Sequence, residues 1–556
     1  MNVAEYIVKV LGNIGVKDAF GIPGGVILPF IYAIEGSDEI SAHLTYHEQS
    51  AGFAACGYAQ ASGRPSVAYA TKGPGASNLF TCIAEAFQES LPVFFITAHT
   101  DRQNAEDACL SVQDVNIAEA SKAVTKFSAN IESVAEVREI MNTAVRKATT
   151  GRKGPVVLDV NASIWQKECE FEEFMAKYAA EQTIDKDVLD SAVMGIVKKL
   201  SEASKPVLLI GDGLRHAISK ARLAEVVRAL QVPTLSSRAA EDLVLGEDLY
   251  FGYIGSHGLR ESNAILSQSD LVIAIGNSLT FPRKSESYCK VLQVTPFIRV
   301  DIDSARTGER LENTNSYNVD AGMVLEELVK AKTKECLVGI AAQGQWIETC
   351  RQIEKEFAGC DSNEVVETLS QYIKKQPEKT VYVCDVGNNE FWAAKAFAEA
   401  NKRSTVLISK TFASLGLALP KAIGAHYATG KRIVCIVGDQ GFQYNSQELQ
   451  FVKQWQIPIQ IVLVNDRASG MILDKEEKAF GEFIHVDEFS GYSVPDFGEI
   501  TKAYGIRYTQ DLREALTITD SPSLFEIKTG RHRLAPELPK GNSMQDMIPK
   551  IEKANQ

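Results

Sequence analysis

Two aspartates end two apolar runs towards the C-terminus. RIVCIVG runs into Gly438-Asp439, the helical stretch SQELQFVKQW follows, and IPIQIVLV runs into Asn465-Asp466. Strand, helix, strand in that order predicts a βαβ unit. A right-handed crossover of this length makes the strands parallel neighbours, so Asp439 and Asp466 should emerge side by side at the carboxyl edge of a sheet, where ligands bind. Two carboxylates beside helix N-termini suit a small hard cation held against a phosphate, because Mg²⁺ takes one or two carboxylates plus phosphate oxygens and helix ends favour anions. A lone Gly-Asp more commonly caps a helix or a turn; the second aspartate at the matching position favours the metal.

The same stretch carries a resemblance. GDQ, a spacer and ND resemble the diphosphate signature of thiamine-diphosphate enzymes, GDG, a similar spacer and NN, and the flanking text is most similar to the acetohydroxyacid synthase branch over nearly the whole chain. The resemblance implies Asp439 and Asp466 as Mg²⁺ ligands with the backbone carbonyl of Ala468 as a third, and places Gly438, Gln440 and Gly441 at the diphosphate. Gln440 replaces a glycine and Asp466 an asparagine. Aspartate is an equally good oxygen donor, whereas Gln440 sets a side chain where the backbone approaches phosphate.

Nearer the N-terminus, VKDAFGIPGGVILPFIYAI sets a Gly-rich turn between a strand and a helix, and the resemblance puts Gly24 and Gly25 beside the cofactor's reactive ring. Glu48 opens the helix in TYHEQSAGFAACGYAQASG. By residue type it is an acid in a first helical turn; by resemblance it is the cofactor-activating acid, which protonates a pyrimidine nitrogen so that the neighbouring amino group, as an imine, removes the thiazolium proton. A carboxyl with a raised pKa suits that transfer. Thr71-Lys72-Gly73-Pro74-Gly75-Ala76-Ser77-Asn78 resembles the family's TSGPGATN loop, with Thr71, Pro74 and Asn78 as cofactor contacts and Lys72 in place of serine. Gln113 falls where the family has an active-site glutamine, and Val112 where it has a pocket phenylalanine. SKTFASLGLALPKAIGA resembles SGGLGTMGFGLPAAIGA, which places Ser414 at the cofactor, makes Leu415 the wedge between its two rings, and shows Lys410 in place of a glycine. Met471 matches a pocket methionine, and Lys475 stands where acetohydroxyacid synthases have a tryptophan that helps select the second 2-oxo acid.

These residues need a frame. SAGFAACGYAQASGRPSVAYATKGPGASNLFTCIAEAFQESLPVFFIT can be laid on SLGLALPKAIGAHYATGKRIVCIVGDQGFQYNSQELQFVKQWQIPIQIVLV, with Gly63 matching Gly430 and Pro92 matching Pro458, so the chain holds two related α/β domains, one at each end. The expected fold class is α/β, with three doubly wound parallel-sheet domains: a pyrimidine-binding domain over 1–165, a central FAD- or nucleotide-like domain over 186–335, a thiamine diphosphate-binding domain over 360–535, and a tail over 536–556. In the middle, Gly255 to Gly258 and Asp301-Ile302-Asp303 resemble segments that wrap FAD, yet GNSLTFPRKS lacks the family's GxRFDDR text. FAD stays open.

The formal net charge of -13 over 556 residues argues against a polyanionic partner, so nucleic acid is not expected. Apolar runs are of strand length, so no membrane span is expected either, and the ten cysteines lack CxxC spacing and read as reduced thiols. The reading is a cytoplasmic protein, and the resemblance implies a homodimer or homotetramer with active sites between subunits. It uses thiamine diphosphate and Mg²⁺ to decarboxylate a 2-oxo acid, pyruvate by resemblance, and to join the fragment to a second carbonyl, a transferase and lyase chemistry like that of acetolactate synthase. Lys475, with Lys72 and Lys410, points to an anionic acceptor. A simple 2-oxo acid decarboxylase, a flavin oxidase and a binding or regulatory member of the fold are the other readings.

Overall fold

Strands that read as near-continuous apolar runs are buried on both faces, as parallel sheets covered by helices require. The computed structural model describes residues 1–100, 112–169, 185–279, 286–308, 311, 313–332, 340–534 and 546–549. Within them lie three six-stranded sheets. The first has β1 (Asp18–Gly21), β2 (Ser41–Leu44), β3 (Ser66–Tyr69), β4 (Val93–His99), β5 (Phe127–Ile131) and β6 (Val156–Asn161), in the order β2-β1-β3-β4-β6-β5. The second has β7 (Pro206–Ile210), β8 (Thr234–Ser237), β9 (Tyr250–Ile254), β10 (Leu271–Ile275), β11 (Phe297–Asp301) and β12 (Thr314–Asn318), in the order β12-β11-β10-β7-β8-β9. The third has β13 (Val381–Cys384), β14 (Thr405–Leu407), β15 (Ile433–Gly438), β16 (Ile459–Asn465), β17 (Arg507–Thr509) and β18 (Ser523–Lys528), in the order β14-β13-β15-β16-β18-β17. Every pairing is parallel. The chain is α/β with three doubly wound sheets, and the first and third share one strand order, as the internal repeat requires.

The repeat has a physical meeting point. The Glu48–Ser62 and Ala418–Thr429 helices end in left-handed glycines, Gly63 at φ 71 and Gly430 at φ 61, whose amides close onto Ala59 and His426. At equal distances before those caps, Gly57 and Gly424 face the other helix's backbone. A Cβ at Gly57 would lie 2.2 Å from the Lys421 carbonyl oxygen, and one at Gly424 would lie 1.8 Å from that of Ala54. Only glycine permits so close a crossing. Around it, one apolar cluster runs without a break from Phe20, Phe53 and Val157 of the first domain to Val383, Leu417 and Leu524 of the third. Polar ties cross the same boundary: Lys421 and Glu85, neither exposed, pair at 2.6 Å, and the Ser409 hydroxyl donates to Glu85 at 2.9 Å.

Some of the sequence motifs and linkers extend past these bounds. Residues 280–285 of GNSLTFPRKS, 170–184 of the first linker, and 535–545 and 550–556 of the tail lie outside the described residues. Of the tail, Met547 is 1% exposed against the central domain, and Asn263 Nδ2 donates to the Ile548 carbonyl.

Candidate active site

The register of β15 with β16 pairs Gly438 with Val464, so the residues that follow, Asp439 and Asp466, leave the sheet on neighbouring strands. Asp439 is 2% exposed. Its Oδ1 accepts from the Gln440 amide at 2.6 Å and from the Tyr492 hydroxyl at 3.0 Å, while its Oδ2 is buried without a hydrogen bond. Burial pushes the Asp439 carboxyl up to about 6. Burial, and then the neighbouring Asp439 charge, pushes Asp466 up to about 7. Two acids that resist joint ionisation in one cleft fit a dication, which would reverse the sign of the local field. Among the described residues no three His, Cys, Asp or Glu side chains gather as a metal site. A cation here would therefore fill its shell with backbone and phosphate oxygens, as Mg²⁺ does.

Two asparagines complete this crevice, and the motif spacing did not single them out. β13 is the neighbour of β15, and the helix after it begins at Asn388. A Cβ at Gly470 would lie 2.7 Å from Asn388 Nδ2 and 2.8 Å from Asp466 Oδ2, and one at Gly438 would lie 3.1 Å from Asn389 Oδ1. Asn388 Oδ1 is buried without a hydrogen-bond partner. Their place at a helix N-terminus directly after the adjacent strand was the signal available for finding them.

Gln440 proves harmless to the backbone. It lies within the Asp439–Tyr444 helix and is not among the positive-φ residues. The position that excludes a side chain is Gly441, where a Cβ would lie 3.0 Å from Asp385 Oδ1. Asp385 in turn accepts from the amides of Val386, Gly416 and Ala418, each at 2.9 Å, and burial holds it up at about 6. With Ala413 at φ 56 and Gly416 at φ 85, that carboxylate fixes the turn that presents Ser414 and Leu415, both half-buried. Met471 is partly buried against the core around Trp392.

The first domain assembles its own half. A Cβ at Gly24 would lie 2.4 Å from the Thr71 side chain, and one at Gly75 would lie 3.1 Å from Glu48 Oε1. Glu48 Oε2 accepts from Asn78 Nδ2 at 3.0 Å. Pro74 opens the short Pro74–Asn78 helix, and Gly25 faces open space. The Gln113 carbonyl abuts Gly73, where a Cβ would lie 2.1 Å away, and both residues have positive φ, 57 and 60. Thus Gly24, Glu48, Thr71, Asn78 and Gln113 come together around one loop. Within the chain this half touches the other: Glu448 Oε1 accepts from the Tyr46 amide at 3.0 Å and the Ser50 hydroxyl donates to Asn445 at 2.8 Å.

The three lysines separate. Lys410 is not a free cation at the site: its Nζ lies 2.6 Å from Asp212 and 3.5 Å from Glu89. Lys72 donates to the Thr100 hydroxyl at 3.2 Å. Lys475 is exposed on the Gly470–Ala479 helix. Homology of position placed Lys410 in the motif but said nothing of the central-domain carboxylate that neutralises it.

In the central sheet the topological switch lies between β7 and β10. The loops that flank it are in backbone contact, with the Gly211 amide donating to Ile275 and the Gly213 amide donating to Gly276, each at 3.0 Å. The Gly255 turn is held by both polar atoms of the Asn263 side chain, and Asp303 is bound by Arg152 at 3.0 Å. Gly255 and Asn263 thus pair with each other, and Asp303 pairs with Arg152 of the first domain.

Comparison with known proteins agrees with this geometry. Residues 1–120 match the model of the thiamine pyrophosphate enzyme N-terminal TPP binding domain, 193–328 its central domain and 385–527 its C-terminal TPP binding domain. A probable acetolactate synthase large subunit of Methanocaldococcus jannaschii is 30% identical, covering 100% of this chain and 97% of its own length. The chain belongs to the thiamine pyrophosphate enzymes. Within that family it is also similar to acetolactate synthase isozyme 1 large subunit of Escherichia coli, 29% identical over 98% of this chain and 97% of the relative, and to the acetolactate synthase large subunit of Lactococcus lactis, 27% identical over 98% and 96%. It is a thiamine diphosphate-dependent enzyme of the acetolactate synthase-like kind. No helix among the described residues is long and apolar enough to cross a membrane.

Proposed function

We propose that this thiamine pyrophosphate enzyme uses Mg²⁺ to decarboxylate a 2-oxo acid, pyruvate as the default, and to join the remaining fragment to a second carbonyl compound. The observation that carries it is the buried Asp439–Asp466 cleft with Asp439 Oδ2 left without a hydrogen bond. Thiamine diphosphate, when bound, supplies the nucleophilic ring carbon and the electron sink for both steps. Asp439, Asp466 and the Ala468 carbonyl would hold the cation for its diphosphate, with Gly438, Gln440 and Gly441 lining the approach and Asn388 and Asn389 bordering it. Glu48, its carboxyl fixed by Asn78, would exchange a proton with the pyrimidine nitrogen of the bound cofactor. Leu415 would be the wedge beside the cofactor's rings, flanked by Ser414 and Met471. Gly24, Gly25, Thr71 and Pro74 would line the ring site from the first domain, and Gln113 would orient the substrate.

The two halves that serve one cofactor belong to two copies of the chain. Large apolar residues around the site support this: Tyr46 is 41% exposed, Phe80 40%, Tyr444 54% and Trp455 55%, more than a solvated surface needs and apt for burial by a second copy. Lys475, free of Lys410's neutralising contacts, favours an acceptor with a carboxylate or phosphate.

Reconstitution with thiamine diphosphate and Mg²⁺, pyruvate and a panel of neutral and anionic carbonyl acceptors, with products identified by mass, tests the reading. A ligated product is expected; free aldehyde alone identifies a simple decarboxylase. Glu48→Gln should bind cofactor yet lose about 10²–10⁴-fold in rate. Lys475→Trp should shift preference towards neutral acceptors, and unchanged preference removes the anionic acceptor from the proposal.

A further inference from the structure

Asp439 Oδ1 takes two hydrogen bonds, from the Gln440 amide at 2.6 Å and from the Tyr492 hydroxyl, while Oδ2 has none; the second donor comes from outside the strand-helix-strand unit. Tyr492 follows the Gly470–Ala479 helix in sequence and its hydroxyl donates to Oδ1 at 3.0 Å. The turn that carries it is tied tightly to itself. Asp487 Oδ1 accepts from the amides of Phe489 and Ser490 at 3.1 and 2.9 Å. The Ser490 hydroxyl accepts from the amides of Val486 and Asp487, each at 3.0 Å, and the Tyr492 amide donates to the Asp487 carbonyl at 2.8 Å. The same turn is also fastened to the other side of the cleft. The Ser469 amide donates to the Val486 carbonyl at 2.8 Å, and Val486 is buried with Ala468 and Leu473. One turn therefore touches Asp439 through Tyr492 and grips the Ala468-Ser469 backbone through Val486.

We propose that Tyr492 is a positioning residue of the metal site, whose hydroxyl joins the Gln440 amide on Asp439 Oδ1 so that Oδ2 is the oxygen offered to the cation. The assignment rests on the cation site proposed for Asp439 and Asp466. Mg²⁺ demands a near-ideal octahedron at short distances, whereas Ca²⁺ accepts a carboxylate through both oxygens and tolerates irregular shells. A hydrogen bond that blocks one oxygen therefore selects for the smaller ion. Outer partners of metal ligands typically set affinity by about 10–100-fold. Without the Tyr492 hydroxyl only the Gln440 amide restrains Oδ1, so the carboxylate turns more easily to engage through both oxygens, which favours Ca²⁺ relative to Mg²⁺.

The test is calorimetric titration of thiamine diphosphate into the full chain at a series of free Mg²⁺ or Ca²⁺ concentrations, for the parent, Tyr492→Phe, Ser490→Ala and Asp439→Ala. Tyr492→Phe should need about 10–100-fold more Mg²⁺ for half-maximal cofactor binding, with a smaller change for Ca²⁺, and its turnover at saturating Mg²⁺ should return towards the parent's. Ser490→Ala, which loosens the turn without touching the carboxylate, should shift Mg²⁺ dependence the same way by less. Equal weakening for both ions, or no change in Tyr492→Phe while Asp439→Ala abolishes metal-dependent binding, overturns the role of Tyr492 alone. Metal-dependent binding that survives Asp439→Ala overturns the cation site itself.

Discussion

Glu448 sits with its carboxyl against the turn that starts the Glu48 helix, accepting from the Tyr46 amide at 3.0 Å, and burial pushes it from 4.5 up to about 7. A carboxyl whose folded pKa exceeds its unfolded value holds a proton in the native state that the unfolded chain has already released. Stability is therefore present below the unfolded value and falls as pH rises from 4.5 towards 7. The full drop from this one group is about 3 kcal/mol at most. Glu448→Gln should flatten that slope, read as urea-unfolding free energies at about pH 5 and about pH 8; equal slopes in both proteins refute it. Residue-scale chemistry was partly legible beforehand. Asp439 and Asp466 follow from two strand ends, because a βαβ crossover fixes which residues become neighbours. Glu448 and Tyr492 do not, because each meets its partner through a turn or a domain contact that no periodicity encodes.

At the scale of elements the decisive feature is the crossing of the Glu48–Ser62 and Ala418–Thr429 helices. Two glycines of the second helix, one at its left-handed cap and one in its interior, separate two kinds of cost. Gly430 has φ 61 and nothing within 4 Å of where a Cβ would sit, so Gly430→Ala costs only left-handed strain, about 1 kcal/mol. Gly424 lies inside its helix, where a Cβ would stand 1.8 Å from the Ala54 carbonyl oxygen. Gly424→Ala must push two backbones apart and should cost about 3 kcal/mol, the upper end for overpacking. Comparing the two variants by denaturant midpoint separates them, and equal losses reject the crossing as the cause. The repeat itself was legible in the aligned glycines and prolines. That its two copies interlock through equivalent glycines was not, since spacing shows kinship between segments and not their contact.

At the scale of the molecule, buried charges stitch the domains together. Lys421 and Glu85 pair with neither exposed to solvent. Burial works to lower the Lys421 ammonium, but the charges of Glu85 and Glu89 outweigh it and hold the group above its ordinary value. Lys421→Met leaves Glu85 charged and unpaired and should cost about 3–5 kcal/mol, while the double change with Glu85→Leu should recover much of that; denaturant titration of the single and double variants decides it. The three-sheet organisation was legible from alternating strand and helix patterns. The role of Lys410 was not: its motif position suggested a substrate contact, whereas Asp212, from a sheet far away in sequence, takes its charge.

The unbroken apolar cluster shared by the first and third sheets also says what would happen to a nicked chain. A protease cutting once between the central and third sheets would sever the connection in sequence but not the interior that the outer domains hold in common, so the fragments should travel together through a native sizing column and part only in denaturant.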